Sequence, residues 1–112
     1  MPIHPQHTVL VVDDDEMWRM LARVALERAG FRCIECHNVR HALEALTHDK
    51  VFCVVTDLRM PDLDGLDLCR IVRADPRLAD VPIIVMTSST DEAEHRKAVE
   101  AGANTTLRKD VE

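Results

Sequence analysis

Five residues combine reactive chemistry with a shared kind of placement. Asp13 and Asp14 follow the β-branched run Thr8-Val9-Leu10-Val11-Val12. Asp57 closes the run Val51-Phe52-Cys53-Val54-Val55-Thr56. Thr87 follows Pro82-Ile83-Ile84-Val85-Met86, and Lys109 follows the poorer run Asn104-Thr105-Thr106-Leu107-Arg108. Short, continuous apolar runs rich in branched residues predict strands buried on both faces. Each polar residue therefore stands at the carboxyl end of a predicted strand, where open α/β sheets bind their ligands. Three carboxylates gathered in one crevice repel each other, and a divalent cation relieves that. Magnesium prefers oxygen ligands and keeps several waters, so one or two direct carboxylates suffice. Lys109 adds a positive point charge and Thr87 a hydroxyl donor. Together they complement a phosphoryl group with charge on its equatorial oxygens, and Asp57 is the central carboxylate to accept it. Taken singly, each residue has a plainer explanation. Asp13 to Glu16 read as a solvated helix start, Thr87 as a locally bonded strand end and Lys109 as a surface lysine. Their coincidence at four strand ends argues for a site.

The elements that must position these groups are also readable. After the first acids a helix runs through Ala29. Trp18, Leu21, Ala22, Ala25, Leu26 and Ala29 form its inward stripe, and Gly30 is its C-cap. Met17, Met20 and Val24 widen that apolar arc to roughly 240°, more than one sheet face requires; the plainer reading is exposed methionines, the sharper one a second surface packed against this helix. Residues 31–36 predict a strand. Asn38 caps a helix over residues 39–48 with Val39, Ala42, Leu43 and Leu46 inward. Leu66, Cys69 and Val72 mark a helix that Pro76 stops. Ser89-Thr90-Asp91-Glu92 fits a capping box for a helix that ends at Ala101 and Gly102. Five strands alternating with four helices predict an α/β fold, a doubly wound five-stranded parallel sheet with right-handed crossovers. The expected order is 2-1-3-4-5, flavodoxin-like, with the switch point between strands one and three.

Size and composition restrict the function classes. A chain of 112 residues is read as one domain over residues 1–112, with residues 1–7 a loose lead-in. The net charge of −6 argues against nucleic acid as a direct ligand. No secretory signal and no run of membrane-spanning length is seen, so no membrane association and a cytoplasmic location are expected. Cys33-Ile34-Glu35-Cys36-His37 matches the haem-attachment spacing. It falls within a predicted strand, where residues three apart point to opposite faces, so neither haem, zinc nor a disulfide is expected there. Cys53 and Cys69 read as small core residues.

The sequence resembles the response-regulator receiver domains of two-component signalling, chemotaxis regulators included. The resemblance rests on Val11-Val12-Asp13-Asp14-Asp15, Thr56-Asp57-Leu58-Arg59-Met60-Pro61-Asp62-Leu63-Asp64-Gly65, Pro82-Ile83-Ile84-Val85-Met86-Thr87-Ser88, Ala101-Gly102-Ala103-Asn104 and Lys109. It implies that Asp57 accepts phosphate from a histidine kinase, a phosphotransfer protein or a small phosphodonor. It implies Mg2+ held by Asp14, Asp57 and the Arg59 carbonyl, with Asp13 acting through water, and Lys109 and Thr87 on the phosphoryl oxygens. Such a domain is no conventional enzyme and signals through a protein partner. The alternative is a pseudo-receiver, a phosphorylation-independent interaction module. Three departures stand out. Thr106 replaces the family's usual switching aromatic. Asp110 replaces the proline after the lysine, so a trans bond and a displaced Lys109 are expected. The final helix is absent, which would leave an apolar strip beside the first helix for a homodimer or a partner helix to cover, unless the 112 residues are a cut-down receiver from a longer protein.

Overall fold

The structure is a computed structural model that describes residues 7–109. Its elements run β1 (Thr8–Val12), α1 (Glu16–Arg28), β2 (Arg32–Cys36), α2 (Val39–His48), β3 (Cys53–Asp57), α3 (Gly65–Ala74), β4 (Ile83–Thr87), α4 (Glu92–Ala101) and β5 (Thr105–Arg108). All strands pair in parallel in the order β2-β1-β3-β4-β5. This is the predicted order, although four of the strands begin one or two residues later than the apolar runs suggested. Among the described residues no helix follows β5. Residues 1–6 and the Lys109–Asp110 bond lie outside the described residues.

Alternation along the strands divides the core. Leu10, Val12, Val54, Ile83 and Val85 point to one face, where α2, α3 and α4 close over them with Val39, Leu46, Leu68, Val72 and Ala98. Val9, Val11 and Cys53 point to the other, which α1 covers with Ala22 and Leu26. The interior strand β1 is buried along its whole length, whereas Thr105, Leu107 and Arg108 of the edge strand β5 are exposed. Cys33 packs on the α1 side and Cys36 on the other, so the Cys-x-x-Cys pair does not converge. Burial pushes their thiols up, to about 11 and about 12.

Two helix readings need correction. The inward stripe of α1 is narrower than its apolar spacing suggested. Leu21 is 50% exposed, Ala25 and Ala29 are exposed, and no α1 residue is fully buried. The contact line is Trp18, Ala22 and Leu26. On the flank beyond that line Arg19 and Arg23 both reach Glu35 on β2, at 3.4 and 2.8 Å, which ties this side of the helix to that strand. The second correction concerns α4, which Asp91 caps by accepting the Ala93 N–H at 2.9 Å. The Ser89 hydroxyl instead accepts the Asp91 N–H at 3.0 Å, a local turn that competes with helix entry.

α3 carries a capping box that spacing alone did not single out. Asp64 accepts the Asp67 N–H at 3.0 Å, and Asp67 accepts the Asp64 N–H at 2.9 Å. Gly65 then starts the helix against the end of β3. Its N–H donates to the Leu58 carbonyl at 2.9 Å, and a Cβ there would lie 2.5 Å from the Asp57 carbonyl oxygen. Glycine at this point lets α3 begin directly beneath Asp57. The loop between them turns at Asp62, which adopts φ 70°, a conformation aspartate tolerates better than most residues.

Candidate functional site

Strand register brings the predicted residues to one edge. Val12 of β1 lies opposite Thr56 of β3, so Asp13 and Asp57, one residue further on, emerge side by side. Thr87 of β4 lies opposite Arg108 of β5, so Lys109 comes off the next strand end. One oxygen from each of Asp13, Asp14 and Asp57 lies within 4.8 Å of the others. Asp13 is buried, Asp57 half-buried and Asp14 exposed. This hard, all-oxygen donor set fits Mg2+ and is a poor match for thiolate-preferring metals.

Lys109 completes the cluster. Its Nζ lies 2.5 Å from Asp13 Oδ2 and 3.2 Å from Asp57 Oδ1. Its backbone N–H donates to the Thr87 carbonyl at 2.8 Å, which anchors it to β4. Asp57 is raised above the ordinary carboxylate range, chiefly by burial and then by the Asp13 charge, with Lys109 pulling the other way. The site thus holds a carboxylate whose charge is only partly compensated.

The support around these groups is mainly backbone bonding. Asp13 donates its N–H to the Cys36 carbonyl at 3.0 Å, its carbonyl accepts Arg19 Nη1 at 2.6 Å, and its Oδ1 accepts the Asp15 N–H at 2.9 Å. Asp15 caps α1 by accepting the N–H groups of Met17 and Trp18. Thr87 is buried, and its Oγ1 accepts the Ser89 N–H at 3.0 Å. Arg59 lies in the β3–α3 loop, and its guanidinium pairs with Glu94 of α4.

Two residues near the site escaped sequence reasoning. His95 of α4 bonds Thr106 Oγ1 at 2.6 Å through Nδ1 and the Ser89 carbonyl at 3.0 Å through Nε2. A carbonyl only accepts, so Nε2 carries a proton and donates to it. Thr106, standing where an aromatic was expected, is thereby tied to the loop after Thr87. Trp18, read as a core residue of α1, presents its ring 5.0 Å from Lys109 Nζ. No residue-type pattern pairs positions so far apart in sequence. A separate cleft at the opposite, amino end of the strands is lined by His7, Arg32, Phe52 and Pro82 among others. The acidic cluster is not part of it, so chemistry rather than concavity identifies the site.

Comparisons with known proteins agree with this geometry. A family model described as the response regulator receiver domain matches residues 9–112. The chain is 38% identical over 102 residues to the transcriptional regulatory protein GltR of Pseudomonas aeruginosa, covering 91% of this chain and 42% of that protein. It is 39% identical over 100 residues to the chemotaxis protein CheY1 of Helicobacter pylori (strain J99), covering 86% of this chain and 79% of that one. The chain thus spans less than half the length of the transcriptional regulator and most of the chemotaxis protein. A response regulator receiver protein from Pseudomonas putida superposes with a TM-score of 0.87 at 32% identity, over 98% of this chain and 91% of that chain. Vibrio cholerae CheY4 gives a TM-score of 0.90 at 24% identity, over 96% of this chain and 90% of that chain, a likeness that speaks to the fold alone.

Proposed function

The chain belongs to the response regulator receiver family of two-component signalling, and from that premise we propose that Asp57 is its phosphoacceptor. The donor is the phosphohistidine of a sensor kinase or phosphotransfer protein, or a small acyl phosphate. A carboxylate oxygen of Asp57 attacks phosphorus in line with the leaving group. The new O–P bond forms as the donor's P–N or P–O bond breaks, and the leaving group departs with that electron pair. Lys109 turns its ammonium from the two carboxylates to a phosphoryl oxygen, and the Thr87 hydroxyl donates to another. Asp14, Asp57 and the Arg59 carbonyl would hold Mg2+, with Asp13 reaching it through water, and the ion would supply charge that offsets the crowding of acids. The observation that carries the reading is Lys109 Nζ within 3.2 Å of Asp57 Oδ1 beside two further carboxylates.

The receiver family is a signalling family rather than a class of conventional enzymes, and chemistry here is confined to Asp57's own phosphorylation and dephosphorylation. Output passes to a downstream protein, with a cytoplasmic location following from that role. No described helix is long and apolar enough to cross a membrane. The negative surface disfavours direct contact with nucleic acid. The apolar surface beside α1 is the seat of a homodimer. Intact mass after incubation with acetyl phosphate tests the central step. A single phosphoryl adduct is expected, dependent on Mg2+ and absent in Asp57→Asn. A folded chain that gains no adduct under any condition would instead be an interaction module independent of phosphorylation.

A further inference from the structure

Lys109 is held by more than its two carboxylates. Its side chain is 14% exposed, and the Trp18 ring lies 5.0 Å from Nζ. An ammonium within about 6 Å of an indole centroid is attracted by the negative face of the ring, and more strongly where water is excluded. Trp18 is itself fixed. Its N–H is bonded by the Asp15 cap at 3.3 Å, and the first turn of α1 is tied to β1 by Arg19 Nη1 on the Asp13 carbonyl at 2.6 Å. The backbone that carries the ring is therefore fixed beside the carboxylates.

We propose that Trp18 is a positioning residue for Lys109, holding its ammonium at the phosphoacceptor site through the face of the indole ring. The need for such a group follows from the strand that carries the lysine. β5 is a four-residue edge strand and Lys109 follows its last residue. The backbone there has one described anchor, the bond to the Thr87 carbonyl. A lysine on a flexible stem has much rotamer freedom to lose. Asp13 and Asp57 attract it, but these contacts must loosen when Lys109 turns to a phosphoryl oxygen. A neutral ring face attracts the ammonium in both arrangements and competes with neither oxygen. This chain has one tryptophan, so the contact also places its only indole beside the reacting groups.

The proposal rests on the phosphoacceptor reading only for its effect on rate; the contact itself is measured independently. The test compares wild type, Trp18→Phe and Trp18→Leu, each checked for folding by circular dichroism. The first readout is the NMR shift of the Lys109 ε-methylene protons, assigned by their loss in Lys109→Arg. Ring current moves them upfield in wild type, less so in Trp18→Phe, and leaves them at ordinary lysine values in Trp18→Leu. The second readout is the phosphorylation rate with acetyl phosphate and Mg2+. Trp18→Leu is expected to fall about fivefold to tenfold, with Trp18→Phe recovering most of the loss. Unshifted ε-methylene protons in wild type would overturn the proposal. So would a shifted wild type in which folded Trp18→Leu is phosphorylated at the wild-type rate. If wild type takes no phosphate, the phosphoacceptor reading fails and the ring-current shift alone decides the contact.

Discussion

At the scale of single residues the site is a compromise between charge and burial. Asp57 is raised by desolvation and by Asp13 more than Lys109 lowers it. A carboxyl raised in the folded chain binds its proton more tightly there than in the unfolded chain. Its stabilising contribution is thus complete below the unfolded carboxylate value, about 3.9, and is lost as pH rises through the folded value. Removing the charge should relieve this. Without added divalent cation, Asp57→Asn is expected to melt about 4 °C above wild type at pH 7, the shift that ~1 kcal/mol produces in a domain of this size. The difference should shrink as pH is lowered toward 4. Melting curves of the two proteins across that range provide the check, and a mutant that melts below wild type at pH 7 would contradict the account. Gly65 shows the opposite sensitivity. A Cβ there meets the Asp57 carbonyl oxygen at 2.5 Å, so Gly65→Ala must displace either α3 or the end of β3. The expected loss is about 2 kcal/mol by chemical denaturation, with slower phosphoryl uptake because the nucleophile itself has moved.

At the scale of elements, long-range polar contacts decide what apolar spacing leaves open. Arg73 of α3 donates to the carbonyls of Gly102, Ala79 and Val81 at 2.9, 2.9 and 2.6 Å, and to Asn104 Oδ1 at 2.8 Å. Asn104 Oδ1 also accepts the Ile83 N–H at 2.8 Å. One side chain thus ties the end of α3 to the entry of β4 and the exit of α4. Arg73→Met keeps the stem and removes these bonds. A loss of about 2–3 kcal/mol is expected, read as a lower urea midpoint at unchanged slope; a midpoint within error of wild type would show the network to be dispensable. The same distinction explains how much of the fold was legible. The strand order and the inner face of α2 followed from period and placement, because Val39, Ala42 and Leu46 had no competing apolar face; in α3 Cys69 and Val72 followed too, but Leu66, read with them, is only partly buried and the fully buried Leu68 was not read. The contact line of α1 did not, because Leu21 and Leu26 are chemically alike and the tie to Glu35 comes from a different element. The α4 cap was missed because Ser89 and Asp91 both cap well and the local turn decides between them. The acids, Thr87 and Lys109 were legible because each ends its own strand. Trp18 and His95 were not, since their partners come from β5, at the far end of the chain.

At the scale of the whole molecule the sheet is covered unequally. Among the described residues three helices close one face and α1 alone lies on the other, with the surface over β4 and β5 open. Leu107 is 50% exposed, and Ile84 and Met86 are only partly buried. The flank of α1 bordering it carries Met17, Leu21 and Val24, 67%, 50% and 36% exposed. Contiguous apolar surface of this kind marks an interaction site. A two-fold pairing of identical strips sets apolar surface against itself without unpaired charge, which is what an isologous interface requires. The total area must reach about 1,200–2,000 Å2 for a stable complex, and strip and helix flank together must supply it. Light scattering at micromolar concentration should then give twice the chain mass of 12.7 kDa. Leu107→Glu, on the open face of β5, should return the monomer while leaving uptake of phosphate at Asp57 intact, because the strip and the acidic cluster are different surfaces. A wild-type monomer that also fails to bind a hydrophobic dye would remove the strip as an interface of any kind. A wild-type monomer that does bind dye would exclude the homodimer and leave the strip to a different protein, with output read from the α1 side of the sheet.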